Sequence, residues 1–318
     1  MPEILTLTMN PALDISTSVE RLVPMHKLRC AAAQEHPGGG GINVARVLHR
    51  LGSDVCALFP AGGVTGEALC HLLRQEGVPF QAQAIAGETR ESFVVHERSS
   101  HQEFRFVLPG PTLSEADWQA SLTHIAGQLN ATRVLVVSGS LPPGVPDDFL
   151  IHVAHLARQH RLQLVLDCSG APLAKLMAAT DTPGAWLIKP SQRELSELTG
   201  HELSDEAEQL AACRALIAQG RVQMVALSLG AEGALLVTPQ RAWHAQALNV
   251  SVASTVGAGD SFLAGLLWSL ARQPDDAEQG LRYAMAAGAA ALLTTGTSLS
   301  HPDDVARLVT QVQLQACA

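Results

Sequence analysis

The sequence predicts an α/β fold with a mostly parallel central sheet, and three observations lead there. Short runs of β-forming residues alternate with apolar-periodic helical stretches along most of the 318 residues, the order that a parallel sheet with right-handed crossovers requires. Hydrophobic residues make up 47% of the chain and aromatic ones only 4%, so Ala, Leu and Val fill a core large enough for one sizeable domain. Two segments, about 15–35 and 88–108, lack helix signals and interrupt the alternation. They read as a small β insertion within a single domain spanning 1–318, with no low-complexity linker or internal repeat to divide it.

Taken in order, residues 4–9 are β formers closed by Asn10-Pro11, a buried strand followed by a loop that carries Asp14. Four glycines at 38–41 then precede an apolar helix over 43–51. Ordered, periodic flanks argue against a flexible linker there, and glycines without Cβ atoms let the backbone approach a ligand closely. Residues 55–60 form a strand and 65–76 a helix; within the second insertion 92–96 and 103–107 read as strands. From Ser114 the alternation is regular: helix 114–129, strand 133–137, helix near 147–159, strand 162–166, a short helix, and strand 185–188. Strands 223–227 and 234–237 are joined by a glycine-bearing turn, 262–268 opens a buried helix, and 286–293 is a small-residue helix ending at Thr294-Thr295-Gly296-Thr297.

Composition excludes several classes of function. A formal net charge of -9 argues against a nucleic-acid-binding surface. Six cysteines without a C-x-x-C pair read as reduced thiols of a cytoplasmic protein. The beginning of the chain has no basic region ahead of an apolar one, so no signal peptide is expected. No apolar run approaches the roughly 20 residues that span a bilayer, so no membrane partner is expected either.

Two motifs concern chemistry. Thr255-Val256-Gly257-Ala258-Gly259-Asp260-Ser261 turns tightly and runs straight into an apolar helix, leaving that helix's first amides free to meet an anion. Asp260 then either caps the helix or faces the anion as a reacting partner. Lys189-Pro190-Ser191-Gln192-Arg193-Glu194 follows a strand and opens a helix, where Ser191 and Glu194 match a capping box. Neither a Walker A pattern nor a complete G-x-G-x-x-G after a strand occurs, so a phosphate would rest on the turn at 257–260.

The glycine clusters at 38–41 and 257–259 together resemble the paired signatures of the PfkB, ribokinase-like carbohydrate kinases. So do Thr6-Leu7-Thr8-Met9-Asn10-Pro11, Phe59-Pro60-Ala61-Gly62-Gly63, Ser138-Gly139-Ser140-Leu141-Pro142-Pro143-Gly144 and Ser228-Leu229-Gly230, so that the whole chain is similar to the family. The resemblance implies a three-layer α/β fold with a small β lid over the sugar site, and a homodimer joined through that lid. It implies ATP- and Mg²⁺-dependent phosphorylation of fructose 6-phosphate at its C1 hydroxyl, a step of glycolysis, with fructose 1-phosphate and tagatose 6-phosphate as rival substrates. A non-catalytic sugar-phosphate sensor on the same fold is the alternative of a different class. By the same resemblance Asp260 is the base, flanked by the amides of Gly257, Ala258 and Gly259. Asp14, Gly39, Gly40, Asn43 and Gly139 meet the sugar, and Lys27, Arg29, Arg90 and Arg105 its phosphate, for which guanidinium groups are suited. Lys189, Ser191, Ser228, Gly230 and Gly233 lie along the nucleotide, with Ser191 where the family has Asn, and Glu194 helps to hold magnesium through water. Carbonyls of Ser254, Val256, Ala291, Thr294, Gly296 and Ser298 would form a potassium site.

Overall fold

The computed structural model describes residues 2–129 and 132–317. In chain order it runs β1 (Ile4–Leu7), β2 (Ala12–Val19), β3 (Gln34–Gly38), α1 (Gly40–Arg50), β4 (Val55–Ala61), α2 (Gly63–Gln75), β5 (Phe80–Ala84), β6 (Arg90–Glu97) and β7 (Gln102–Val107). Then follow α3 (Glu115–Gly127), β8 (Val134–Ser138), α4 (Phe149–Gln159), β9 (Gln163–Asp167), α5 (Ala171–Ala178), β10 (Ala185–Ile188), α6 (Gln192–Thr199) and α7 (Glu206–Ala218). Last come β11 (Val222–Ser228), β12 (Ala234–Val237), β13 (Ala242–Ala245), α8 (Ala258–Arg272), α9 (Ala277–Leu292), α10 (Pro302–Val309) and β14 (Leu314–Cys317).

Every residue of β1, β4 and β8 is buried, which requires cover on both faces of the sheet. Alternate side chains supply the two cores: Val134 and Val136 point into one with Ile42, Leu263 and Leu266, while Leu135 and Val137 point into the other with Ile125, Phe149 and Val153. This period of two makes three layers from one sheet. Its ten strands lie in the order β14-β13-β12-β11-β10-β9-β8-β1-β4-β5. Neighbours from β5 to β11 pair parallel, and β12, β13 and β14 add antiparallel strands at one edge. No helix among the described residues is long and apolar enough to cross a membrane.

A second sheet, ordered β3-β2-β6-β7, is the expected insertion, but its boundaries differ from expectation. The loop read after β1 is short, and Asp14 sits inside β2, paired with His36 of β3 and Ser92 of β6. Ladder partners on both sides overrule the turn preference of Asn10-Pro11 within three residues. Residues 20–33, expected to belong to the sheet, contain no strand.

Helices α8 and α9 pack through small residues. A methyl group on Gly265 would overlap the carbonyl of Tyr283 and lie 2.8 Å from Cβ of Ala287. In an open helix Gly→Ala stabilises by about 1 kcal/mol; overpacking costs about 1–3 kcal/mol. Gly265→Ala is therefore expected to lose about 1–2 kcal/mol of stability in urea denaturation, and a net gain would refute close α8–α9 packing as the reason for glycine.

Candidate active site

The parallel strands end at one crevice. Beside β1, with β8 on one side and β4 on the other, the strand order reverses, and the carboxyl ends at such a point form a natural binding site. Gly139 follows β8, Asp167 ends β9, and Lys189 follows β10. Helix α8 points its N-terminus at them, starting from Gly257 at a φ of 75° with no side-chain cap bond to its first amides. That left-handed φ favours glycine, and the uncapped amides are donors for an anion.

Two cavities meet at this turn. One, of about 230 Å³, is polar: Asp14, Asn43, Arg90, Arg105, Asp167 and Asp260 line it, together with Gly39, Gly40, Gly139, Val256 and Gly257. The other, of about 750 Å³, is largely apolar, with Val250, Val252, Phe262, Met285 and Leu292 beside Ser191, Ser228, Gly230 and Gly233; Ala258 and Gly259 border it. Larger surface grooves, such as one of about 890 Å³ along α5, α6 and α7, touch none of the glycine turns. Close backbone approach explains the first glycine cluster: a methyl on Gly38 would overlap the Asp14 carboxylate, and one on Gly40 the Ser138 hydroxyl.

The charges in the crevice are mutually arranged. Asn43 donates from Nδ2 to Oδ2 of Asp260 at 2.8 Å. Burial pushes the Asp260 carboxyl up to about 6; nearby Asp167 adds to this, and the Asn43 bond and Lys189 oppose it. Asp14 is likewise raised to about 6 by burial, against the pull of Arg46, Arg90 and Arg105. Lys189 Nζ lies 3.0 Å from Oδ1 of Asp167, whose Oδ2 accepts from Ser138 at 3.1 Å. Burial alone would lower the Lys189 ammonium, but Asp167, Asp260 and Glu194 outweigh it and hold it above its ordinary value. Cβ of a residue at 259 would lie 3.4 Å from that ammonium, so Lys189 sits under the turn and lines neither cavity.

Other expected residues fall differently. Arg90 is held by the carbonyls of Asn10 at 3.1 Å and Leu108 at 3.2 Å, whereas Lys27 and Arg29 are exposed in the 20–33 loop and line neither cavity. Ser191 and Glu194 do form a capping box, with Oε2 of Glu194 accepting from the Ser191 amide at 2.8 Å and hydroxyl at 2.9 Å. No group of three or more His, Cys, Asp or Glu suited to a metal occurs among the described residues. Magnesium commonly takes only one or two carboxylates with waters and substrate phosphates, so Glu194 beside the crevice remains compatible with it. Of the expected potassium ligands, Ser254 and Val256 are buried. The Ala291 carbonyl accepts from the amide and hydroxyl of Thr294, and that of Ser298 accepts from Arg50 at 2.5 Å. A guanidinium at that distance repels a second cation, so Ser298 is the least favourable of the expected ligands. Asp167 and Ser92 carry no mark in the sequence reading, and Ser138 enters it only within the Ser138-Gly139-Ser140 motif; an acid ending an apolar strand is the one signal available, at Asp167.

Residues 8–304 match the family described as pfkB family carbohydrate kinase. The ATP-dependent 6-phosphofructokinase isozyme 2 of Mycobacterium tuberculosis is 46% identical over 312 residues, covering 96% of this chain and 88% of that protein. The protein of the same name from Escherichia coli K12 is 38% identical over 308 residues, with 97% and 98% covered. The crystal structure of phosphofructokinase-2 from Escherichia coli in complex with fructose-6-phosphate superposes with a TM-score of 0.90 at 35% identity, over 98% of this chain and 99% of that one.

Asp260 carries a pKa of about 6 when folded against 3.8 in a free carboxyl. Its charge therefore costs stability above about pH 6, and that cost fades toward pH 4, as the folded chain binds a proton the unfolded chain lacks. Asp260→Asn keeps the shape and an acceptor for Asn43. It is expected to unfold at higher urea concentration than the wild type at pH 7, with the difference closing near pH 4; a less stable variant at pH 7 would show that desolvation does not dominate at this carboxylate.

Proposed function

The chain belongs to the pfkB family of carbohydrate kinases, and on that premise we propose that it transfers the γ-phosphoryl group of ATP to the C1 hydroxyl of fructose 6-phosphate. The observation that supports this most is the uncapped start of α8 between a small cavity lined by Arg90 and Arg105 and a larger apolar one. A sugar phosphate suits the first and a purine base the second, so the phosphoryl group in transit would lie on the amides of Gly257, Ala258 and Gly259. Positioning and charge stabilisation are what such a transfer needs.

Asp260 accepts the proton of the attacking hydroxyl, and a carboxyl titrating near 6 is ionised yet still basic at neutral pH. Asp14 and Asn43 orient the sugar hydroxyls, and Arg90 and Arg105 grip its phosphate in bidentate fashion. Lys189, held beneath the turn by Asp167, offsets negative charge on the transferring group. Ser191, Ser228, Gly230 and Gly233 run along the nucleotide. Magnesium, when bound, neutralises charge on the ATP oxygens; Glu194 would hold it through water. Potassium would rest on the carbonyls of Ser254, Val256, Ala291, Thr294 and Gly296. Six unpaired cysteines suit a cytoplasmic setting.

Steady-state kinetics with fructose 6-phosphate, fructose 1-phosphate and tagatose 6-phosphate is the test. Fructose 6-phosphate is expected to have the highest kcat/KM, and a clear preference for either rival overturns the substrate. Because Asp260 must be ionised to act, kcat/KM should fall about tenfold per unit below pH 6. Asp260→Asn should keep sugar-phosphate binding and lose at least about 100-fold in turnover; a variant with most of its turnover rejects the base, and a wild type that binds without turning over favours the sensor.

We also propose a homodimer joined through the β lid. Met25, Phe106, Val107 and Leu108 are exposed there, Met25 completely, and β3 and β7 present unpaired sheet edges. A second copy covers both and brings its Lys27 and Arg29 toward a phosphate that they do not reach within one chain. Light scattering is expected to give a dimer at micromolar concentration; a monomer removes this proposal.

A further inference from the structure

We propose that Arg46 is a positioning residue for the reaction, acting through Asn43 to hold the Asp260 carboxylate in place as the base. This rests on the kinase reading above. Arg46 lines neither cavity and is fully buried, so it touches no substrate. Its Nη1 donates to the carbonyls of Pro37 and Thr297, both at 3.0 Å, and to Oδ1 of Asn43 at 3.3 Å. Nε and Nη2 grip the carboxylate of Glu76, at 2.9 and 2.6 Å.

Chemistry dictates which way the Asn43 amide faces. A guanidinium only donates, so the atom turned to Arg46 must be the oxygen; an ionised carboxylate only accepts, so the atom turned to Asp260 must be the nitrogen. With Nδ2 of Asn43 at 2.8 Å from Asp260, both neighbours impose the same orientation. Reversing it would set like against like at both ends.

A buried arginine is hard to explain by stability alone. Its desolvation cost offsets much of the pairing with Glu76, and an apolar side chain of similar volume often serves as well. What methionine could not do is hold three acceptors from separate places: the strand before the first glycine cluster, the Asn43 amide and the loop after α9. Arg46 thus ties both flanks of the crevice to the residue that orients the base.

Other charges face Asp260: Asp167 from β9, Lys189 after β10 and Asp14 from β2. None of them is bonded to Asn43, which allows the route through Asn43 to be isolated. In Arg46→Met only Asp260 still orients the amide, the bond from Asn43 is held less firmly, and the acid limb of kcat/KM is expected to move up by about 1 pH unit. In an Asn43→Ala background the same change is expected to add no shift. Equal shifts in both backgrounds would mean a direct field from the arginine, and an unmoved limb a purely structural role; either overturns the proposal. Arg46→Lys keeps the buried charge but reaches fewer acceptors, and should shift the limb in the same direction by less, which serves if the methionine variant does not fold. Carbon-13 titration of the Asp260 carboxylate, assigned by its loss in Asp260→Asn, reads the same shift without substrate. An enzyme inactive on all three sugar phosphates thus fails the functional reading alone, and an unshifted carboxylate fails this one.

Discussion

A helix that begins without a cap must find partners for its first amides, and α8 begins without one. Much of the crevice follows from that constraint. Ending at the rim of a parallel sheet places these amides between two cavities, where they are open to an anion. To reach that rim, α8 lies deep against α9, which is why Gly265 meets the Tyr283 carbonyl and Gly288 meets Phe262 so closely. Small residues far from any charge therefore determine where the charge-binding turn sits.

The helix start also explains how acids gather where negative substrates are proposed to bind. Asp14, Asp167 and Asp260 line one small cavity, and desolvation raises two of them toward neutrality. Asp167 stays tied to Lys189. Arg90 and Arg105 balance Asp14 from the lid. Each acid thus has its own cation or donor.

Arg46, Arg50 and Glu76 form a second charged layer beneath the first. Glu76 ends α2, takes both guanidinium groups, and leaves their remaining donors for carbonyls of the loop after α9. This layer joins α1, α2 and that loop, and it occupies the Ser298 carbonyl with the Arg50 guanidinium.

The parts legible in the sequence were those whose meaning is local. Alternation of strand and helix, the glycine turns, the Ser191–Glu194 cap and the position of Asp260 at a helix start all lie within a few residues of one another, so propensity, turn chemistry and periodicity suffice to read them. Asn43 enters through the family resemblance, and its bond to Asp260 joins residues 217 positions apart. Pairing across the chain decided the rest. Asp14 lies in a strand because His36 and Ser92 flank it, and the weak strands β13 and β14 exist because a growing sheet edge offers them partners. Asp167 pairs with Lys189 only because β9 and β10 are adjacent, and Arg46 looks from sequence like any polar residue on a helix. Local preferences are written residue by residue, but burial, the surroundings of a carboxylate and the direction an amide faces depend on distant segments that only the packed sheet brings together.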